Sequence, residues 1–252
     1  MSSKIRKAVE IVLAHISFFT IIPARSRIDV LEALRYVDFT ALTVSLPITA
    51  VLALIYVVLR LVHMNAILAC SLLYLSNIIL TGFLHMDGVT DVIDALFAPP
   101  NKRHVILKDP HIGSLGACGL FTILSIGLVS SICTFSAFKT LKNLLLSELF
   151  SRLSCSACAR MGKPLHKGLG SIVVEEAHRR RYLIIVPLAV TFFLSLVLCG
   201  FLKTLEFILS SLIITILLVY PVVRKLGGVS GDVLGYSIEV GRHVALIVLS
   251  IL

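Results

Sequence analysis

Seven apolar stretches separated by short polar loops constrain this chain more than anything else in it. Between Leu183 and Val223 the only charged side chains are Lys203 and Glu206. A run of about 20 apolar residues is what crossing the hydrocarbon core of a bilayer requires. Runs at residues 40–62, 66–84, 115–138, 141–159, 183–202, 205–223 and 234–252 therefore predict about seven transmembrane helices. The hydrophobic fraction is 58% and charged residues are 15%, against about 25% charged in a soluble domain. Mean hydropathy is +1.01. The expected fold class is all-α: a polytopic integral membrane helix bundle. No polar region is long enough for a second domain, so residues 1–252 read as a single membrane-embedded catalytic domain.

The apolar segment within residues 1–24 is different. Glu10 and His15 interrupt it, and cations flank both ends. It reads as an N-terminal interfacial or re-entrant helix, not a cleavable signal. Six cysteines are present, and Cys155-x-x-Cys158 has no second pair beside it. That pair fits small-residue helix packing better than zinc or redox chemistry. The 141–159 run carries Glu148 and Arg152, an i, i+4 pair that fits a helix and is expected to face the bundle interior or water.

The net charge of +9 is accounted for by basic loops at a membrane surface, and no nucleic-acid motif accompanies it. With Arg25, Arg27 and Arg35 placed in the cytoplasm, successive crossings put three loops on that same side. These are the acidic stretch after residue 84, the basic loop 160–181 and the glycine-rich loop 224–232. The expected location is the cell membrane, multi-pass, with the active face cytoplasmic.

The acidic stretch carries the chemistry. Asp87, Asp91 and Asp94 are spaced i, i+4, i+7, and only 14 residues of the chain are acidic. On a helix, about 100° per residue places all three within about 60° of one face. Like charges so placed need a cation, and a divalent metal, Mg²⁺, is the leading candidate. Acids offsetting a helix dipole would account for one or two such residues, not three. Arg103 and Lys108 are suited to holding phosphate oxygens. Gly113 and Gly116 would let a backbone approach closely. The glycine-rich loop, with Gly231 and Asp232 and with Glu239 seven residues on, can wrap a phosphate or form a tight turn.

Taken together these stretches resemble the cobalamin-5′-phosphate synthase family. The resemblance lies in Phe18-Phe19-Thr20-Ile21-Ile22-Pro23 and in the block from Gly82 to Asp94. It continues from Ile106 to Gly116 and closes from Gly227 to Gly235 with Glu239. It spans nearly the whole chain in order. Ala95 stands where the family usually has Gly, and His111 where Arg is common. The resemblance implies transfer of the phosphocobinamide group of adenosylcobinamide-GDP to α-ribazole or α-ribazole 5′-phosphate, releasing GMP, with Mg²⁺ as cofactor. It implies Asp87, Asp91 and Asp94 as metal ligands, one of them taking the acceptor's hydroxyl proton. Lys108 and Arg103 would steady the phosphates. Asp109 and Asp232 would be secondary ligands or orienting groups, with His111 and Glu239 in the substrate-binding set. A lipid bilayer is the other partner; homo-oligomerisation is left open.

Two competing readings are weaker. A CDP-alcohol phosphotransferase needs Ala-Arg after Asp-Gly-x-x, and Asp91-Val92 stands there instead. A cation transporter would carry its acids at mid-bilayer, whereas these follow the end of a span.

Overall fold

Caps and glycines decide where the apolar runs become helices and where they stop. The computed structural model describes residues 3–252. Helix α1 (Ser3–Phe19) leads into two short helices, α2 (Val30–Leu34) and α3 (Thr40–Thr43), and then α4 (Ser45–Leu61). Asn65 caps α5 (Ala66–Leu80), its side chain accepting the N–H groups of Ile67 and Leu68. α5 ends at Leu80, short of the expected residue 84, because Gly82 (φ +62°) and Phe83 (φ +57°) enter left-handed backbone. The acidic stretch therefore forms its own helix, α6 (Met86–Phe97), followed by the short α7 (Arg103–Ile106).

Helix α8 (Ser114–Ile132) also stops before the expected residue 138, and Ser136 caps α9 (Ala137–Cys158). Lys139 and Lys142 thus lie in α9, not in a turn. After α10 (Leu169–Arg179) comes the pair α11 (Ile185–Cys199) and α12 (Phe201–Leu226). The turn of this pair falls at Gly200 (φ +82°), so Lys203 is helical rather than the connector. Gly227 (φ +83°) ends α12 in the left-handed conformation that glycine adopts most easily. Ser230 then caps α13 (Gly231–Ile251).

Among the described residues five helical stretches are long and apolar enough to cross a membrane: Val37–Leu61, Ser114–Ile132, Arg181–Cys199, Phe201–Leu226 and Gly231–Ile251. About seven were expected. The difference lies in α5, only 15 residues long, and in α9, whose Lys139, Lys142, Glu148 and Arg152 reduce its apolar character. α9 is nonetheless the most enclosed element together with α13, against which it makes its most extensive packing. Small residues permit that contact: a Cβ on Gly241 would lie 2.1 Å from Ser154 Oγ. Cys155 and Cys158 are free thiols buried on the same helix, consistent with packing residues.

Glu148 and Arg152 of α9 and Glu239 and Arg242 of α13 face inward and pair with one another. Arg242 Nε lies 2.7 Å from Glu148 Oε1, and Arg242 also bridges Glu239. Asn77 on α5 donates to Glu148 Oε1 at 3.0 Å. Ionisable groups at membrane depth are expensive unless paired in this way.

Candidate active site

The site is built where α6 crosses the start of α13. One face of α6 buries Met86, Val89, Val92 and Ala95. Gly88 lies on that face because a Cβ there would stand 2.6 Å from the Asp232 carbonyl oxygen. This close crossing brings Asp232 to the aspartates of α6. Asp91 feels it most: its carboxyl is pushed up to about 6, by burial first, then by the charge of Asp232, with Asp87 and Asp94 adding to the effect. A hydrogen bond from the Thr90 hydroxyl opposes the shift only in part. The repulsion expected from the spacing is therefore present, and Asp232 is a stronger contributor to it than the neighbours on α6.

Asp94 has a distinct position. Its Oδ2 accepts the Gly113 N–H and its Oδ1 the Gly116 N–H, both at 2.8 Å. The carboxylate thus satisfies orphan donors at the start of α8, which has no side-chain cap of its own. Both glycines are required there: a Cβ would lie 2.4 Å from Asp94 Oδ1 at Gly113 and 2.3 Å from Oδ2 at Gly116. The group that approaches these glycines is Asp94 itself.

The loop cations and their neighbours lie further out. Arg103 Nη1 donates to the Lys225 carbonyl at 3.2 Å, tying α7 to the end of α12. Lys108 is exposed. Asp109 accepts the His111 N–H at 3.0 Å and pairs with its ring nitrogen at 2.7 Å. Those bonds, backbone first, hold the Asp109 carboxyl below the usual carboxylate range. Glu239 does not join the site. It is buried with Arg242 and His243 along α13 and is not among the residues that line the cavity.

Beside the aspartates lies a cavity of about 240 Å³, lined by Asp87, Asp232, Gly231, His85, Arg152 and Phe19 among others. The loops are joined to one another near it. Leu165 N–H bonds to the Val229 carbonyl at 2.9 Å, and Val229 N–H to the Lys163 carbonyl at 2.8 Å. Gly170 at the start of α10 packs so tightly on Gly231 that a Cβ would lie 2.4 Å from its nitrogen. The acidic, basic and glycine-rich segments therefore meet at one end of the bundle. Arg152 and His85 belong to this cavity, a role the sequence reading did not give them. The available signal was Arg152 itself, an arginine in an apolar run with Glu148 as its only nearby carboxylate in sequence.

The donors fit a hard divalent cation by chemistry, being carboxylate oxygens of neighbouring aspartates. Among the described residues no three His, Cys, Asp or Glu side chains converge into a ready-made metal cage. Mg²⁺ does not need one, since it commonly takes one or two carboxylates and completes its shell with water and substrate phosphates.

Comparison with known proteins agrees in one direction. A family profile described as cobalamin-5-phosphate synthase matches residues 11–250. A protein of Pyrobaculum calidifontis is 33% identical over 242 residues, covering 93% of this chain and 96% of that protein. One of Caldanaerobacter subterraneus subsp. tengcongensis is 32% identical, covering 94% and 96%. One of Thermoplasma acidophilum is 26% identical, covering 92% and 88%. All three bear the name adenosylcobinamide-GDP ribazoletransferase. No solved structure matches the chain. With the family profile running from α1 to the end of α13 and relatives aligned across nearly their full length, the chain belongs to the cobalamin-5-phosphate synthase family.

Proposed function

We infer that the chain is a membrane transferase that joins the two halves of cobalamin. In this reading it moves the phosphocobinamide group of adenosylcobinamide-GDP to α-ribazole or α-ribazole 5′-phosphate and releases GMP. The observation that carries the site assignment is the approach of Asp232 to Asp91, which is pushed up to about 6, beside a cavity lined by Asp87 and Asp232.

A ribose hydroxyl of the acceptor attacks the phosphorus attached to cobinamide. The bond from that phosphorus to the bridging oxygen breaks, GMP leaves with the oxygen and its electron pair, and the hydroxyl proton passes to one of the site's aspartates. Reactions of this type rest on positioning and charge neutralisation more than on covalent help. Mg²⁺ held by Asp87, Asp91 and Asp232 would neutralise the charge that develops on the leaving phosphate. Asp94 positions α8 through Gly113 and Gly116, and with it the segment carrying Lys108, Asp109 and His111. Arg103 anchors the other end of that segment to α12. The cavity is smaller than the roughly 300–1,000 Å³ of pockets for drug-sized ligands. It therefore takes the diphosphate region, while the corrin ring stays outside the bundle.

The membrane is the cell membrane, and this end of the bundle faces the cytoplasm. The cations of loop 160–181 and of Arg224-Lys225 support this orientation under the positive-inside rule. Purified protein in detergent tests the function. GMP should appear from adenosylcobinamide-GDP only when both α-ribazole and Mg²⁺ are added. Absence of GMP under those conditions, or turnover with a CDP-alcohol instead, refutes the reading.

A further inference from the structure

Arg152 stands on the wall of the cavity, 2% exposed, on α9, one of the two most enclosed helices. It is the one lysine or arginine among the described residues that line this cavity. None of its three guanidinium nitrogens meets a protein acceptor in hydrogen-bond geometry. Its nearest carboxylate, Glu148 Oε2, is 3.5 Å from Nη2 and not aligned for a hydrogen bond. The other Glu148 oxygen is taken by Arg242 and by Asn77.

The four buried charges, Glu148, Glu239, Arg152 and Arg242, sum to zero. The cluster thus lacks no countercharge. It lacks acceptors: a guanidinium carries five N–H donors in a rigid fork, and unmet donors away from water are costly. Phe19 holds the fork in place, its ring centroid 5.3 Å from the Arg152 Cζ, and Phe19 lines the same cavity. His85 lies beside it with an unpartnered Nε2. A planar fork held over an aromatic ring at the wall of a small, mainly apolar cavity that also carries Asp87 and Asp232 is suited to bidentate binding of phosphate oxygens.

We propose that Arg152 is the diphosphate-binding side chain of this cavity, in place of the loop cations Arg103 and Lys108. It supplies the positive charge that lets an anion enter a cavity also lined by Asp87 and Asp232. The proposal rests on the transferase reading above, and deepens it by naming the cation that grips the nucleotide substrate. Glu148 then orients the fork while leaving its N–H donors unmet.

Calorimetry with inorganic pyrophosphate and Mg²⁺ on the detergent-purified protein tests this. Arg152→Gln should weaken pyrophosphate binding by about 10–100-fold. Arg152→Lys, which keeps the charge but not the fork, should weaken it by about 5–20-fold. Lys108→Ala should leave it within about twofold of wild type, as expected for an exposed cation. In turnover assays with unphosphorylated α-ribazole, Arg152→Lys should raise KM for adenosylcobinamide-GDP and leave KM for α-ribazole unchanged. Pyrophosphate binding that survives in folded Arg152→Gln overturns the proposal. Should that variant not fold, Arg152→Lys decides: binding equal to wild type overturns it. A rise in KM confined to the acceptor α-ribazole 5′-phosphate also overturns it, since that places the phosphate of the other substrate here. Wild-type protein that makes no GMP refutes the transferase reading instead, independently of where pyrophosphate binds.

Discussion

Replacing Asp91 with asparagine separates a functional carboxylate from a structural one. The carboxyl is raised from 3.8 to about 6 by burial and by Asp232, Asp87 and Asp94. For an acid this means that the folded state holds the proton more tightly than the unfolded state. The resulting penalty on folding is complete above pH 6 and disappears below the unfolded value. Two units correspond to about 3 kcal/mol. Asp91 is only partly buried, so solvent screening reduces this to about 1 kcal/mol. Asp91→Asn removes the penalty, and in EDTA at pH 7.5 it should raise the melting temperature by about 2–4 °C for a chain of this size. The gain should shrink as the pH is lowered toward 4. Mg²⁺ should stabilise the wild type and leave the variant unmoved, while GMP release by the variant is lost. Thermal unfolding in detergent reads the first effects and nucleotide chromatography the last. A variant less stable than wild type in EDTA, or one with near-normal turnover, would show that Asp91 is a packing residue and not a cation ligand.

Other perturbations follow from the same contacts. Lowering the pH through 6 protonates Asp91, so the Mg²⁺ concentration giving half-maximal activity should rise by up to about tenfold per pH unit below that point; a flat Mg²⁺ requirement from pH 7 to 5 contradicts this. Gly116→Ala places a Cβ 2.3 Å from Asp94 Oδ2 and should cost about 1–3 kcal/mol, read as a lower melting temperature. Arg242→Met leaves Glu148 and Glu239 without their shared partner and should cost about 3–5 kcal/mol, seen as loss of folded protein in membranes. His111→Ala removes an exposed pair with Asp109 and should leave the melting temperature essentially unchanged.

The legible parts of this molecule were those governed by local pattern. Apolar run length gave a helical membrane bundle, and the i, i+4, i+7 spacing gave an acidic stripe that α6 does carry. Loop charge placed the acidic, basic and glycine-rich segments at one end, where Leu165, Val229, Gly170 and Gly231 now join them. What was not legible depended on partners far away in sequence. Gly113 and Gly116 read as a phosphate approach, yet the group they admit is Asp94, 19 and 22 residues earlier. Glu239 read as part of the glycine-rich motif, but helical geometry carries it inward to Arg242. Arg152 read as one half of an i, i+4 pair; that Glu148 is held by Arg242, 90 residues downstream in sequence from Arg152, is visible only once α9 and α13 are packed. Helix ends were misjudged where a single glycine turned the backbone, at Gly82 and Gly200.

The central claim is that a divalent cation sits among Asp87, Asp91 and Asp232 when the diphosphate is present. Electron paramagnetic resonance with Mn²⁺ in place of Mg²⁺ tests it most directly. Wild-type protein with adenosylcobinamide-GDP should bind Mn²⁺, Asp91→Asn and Asp232→Asn should lose most of that signal, and Asp109→Asn should retain it. Equal Mn²⁺ binding by wild type, Asp91→Asn and Asp232→Asn would contradict the account.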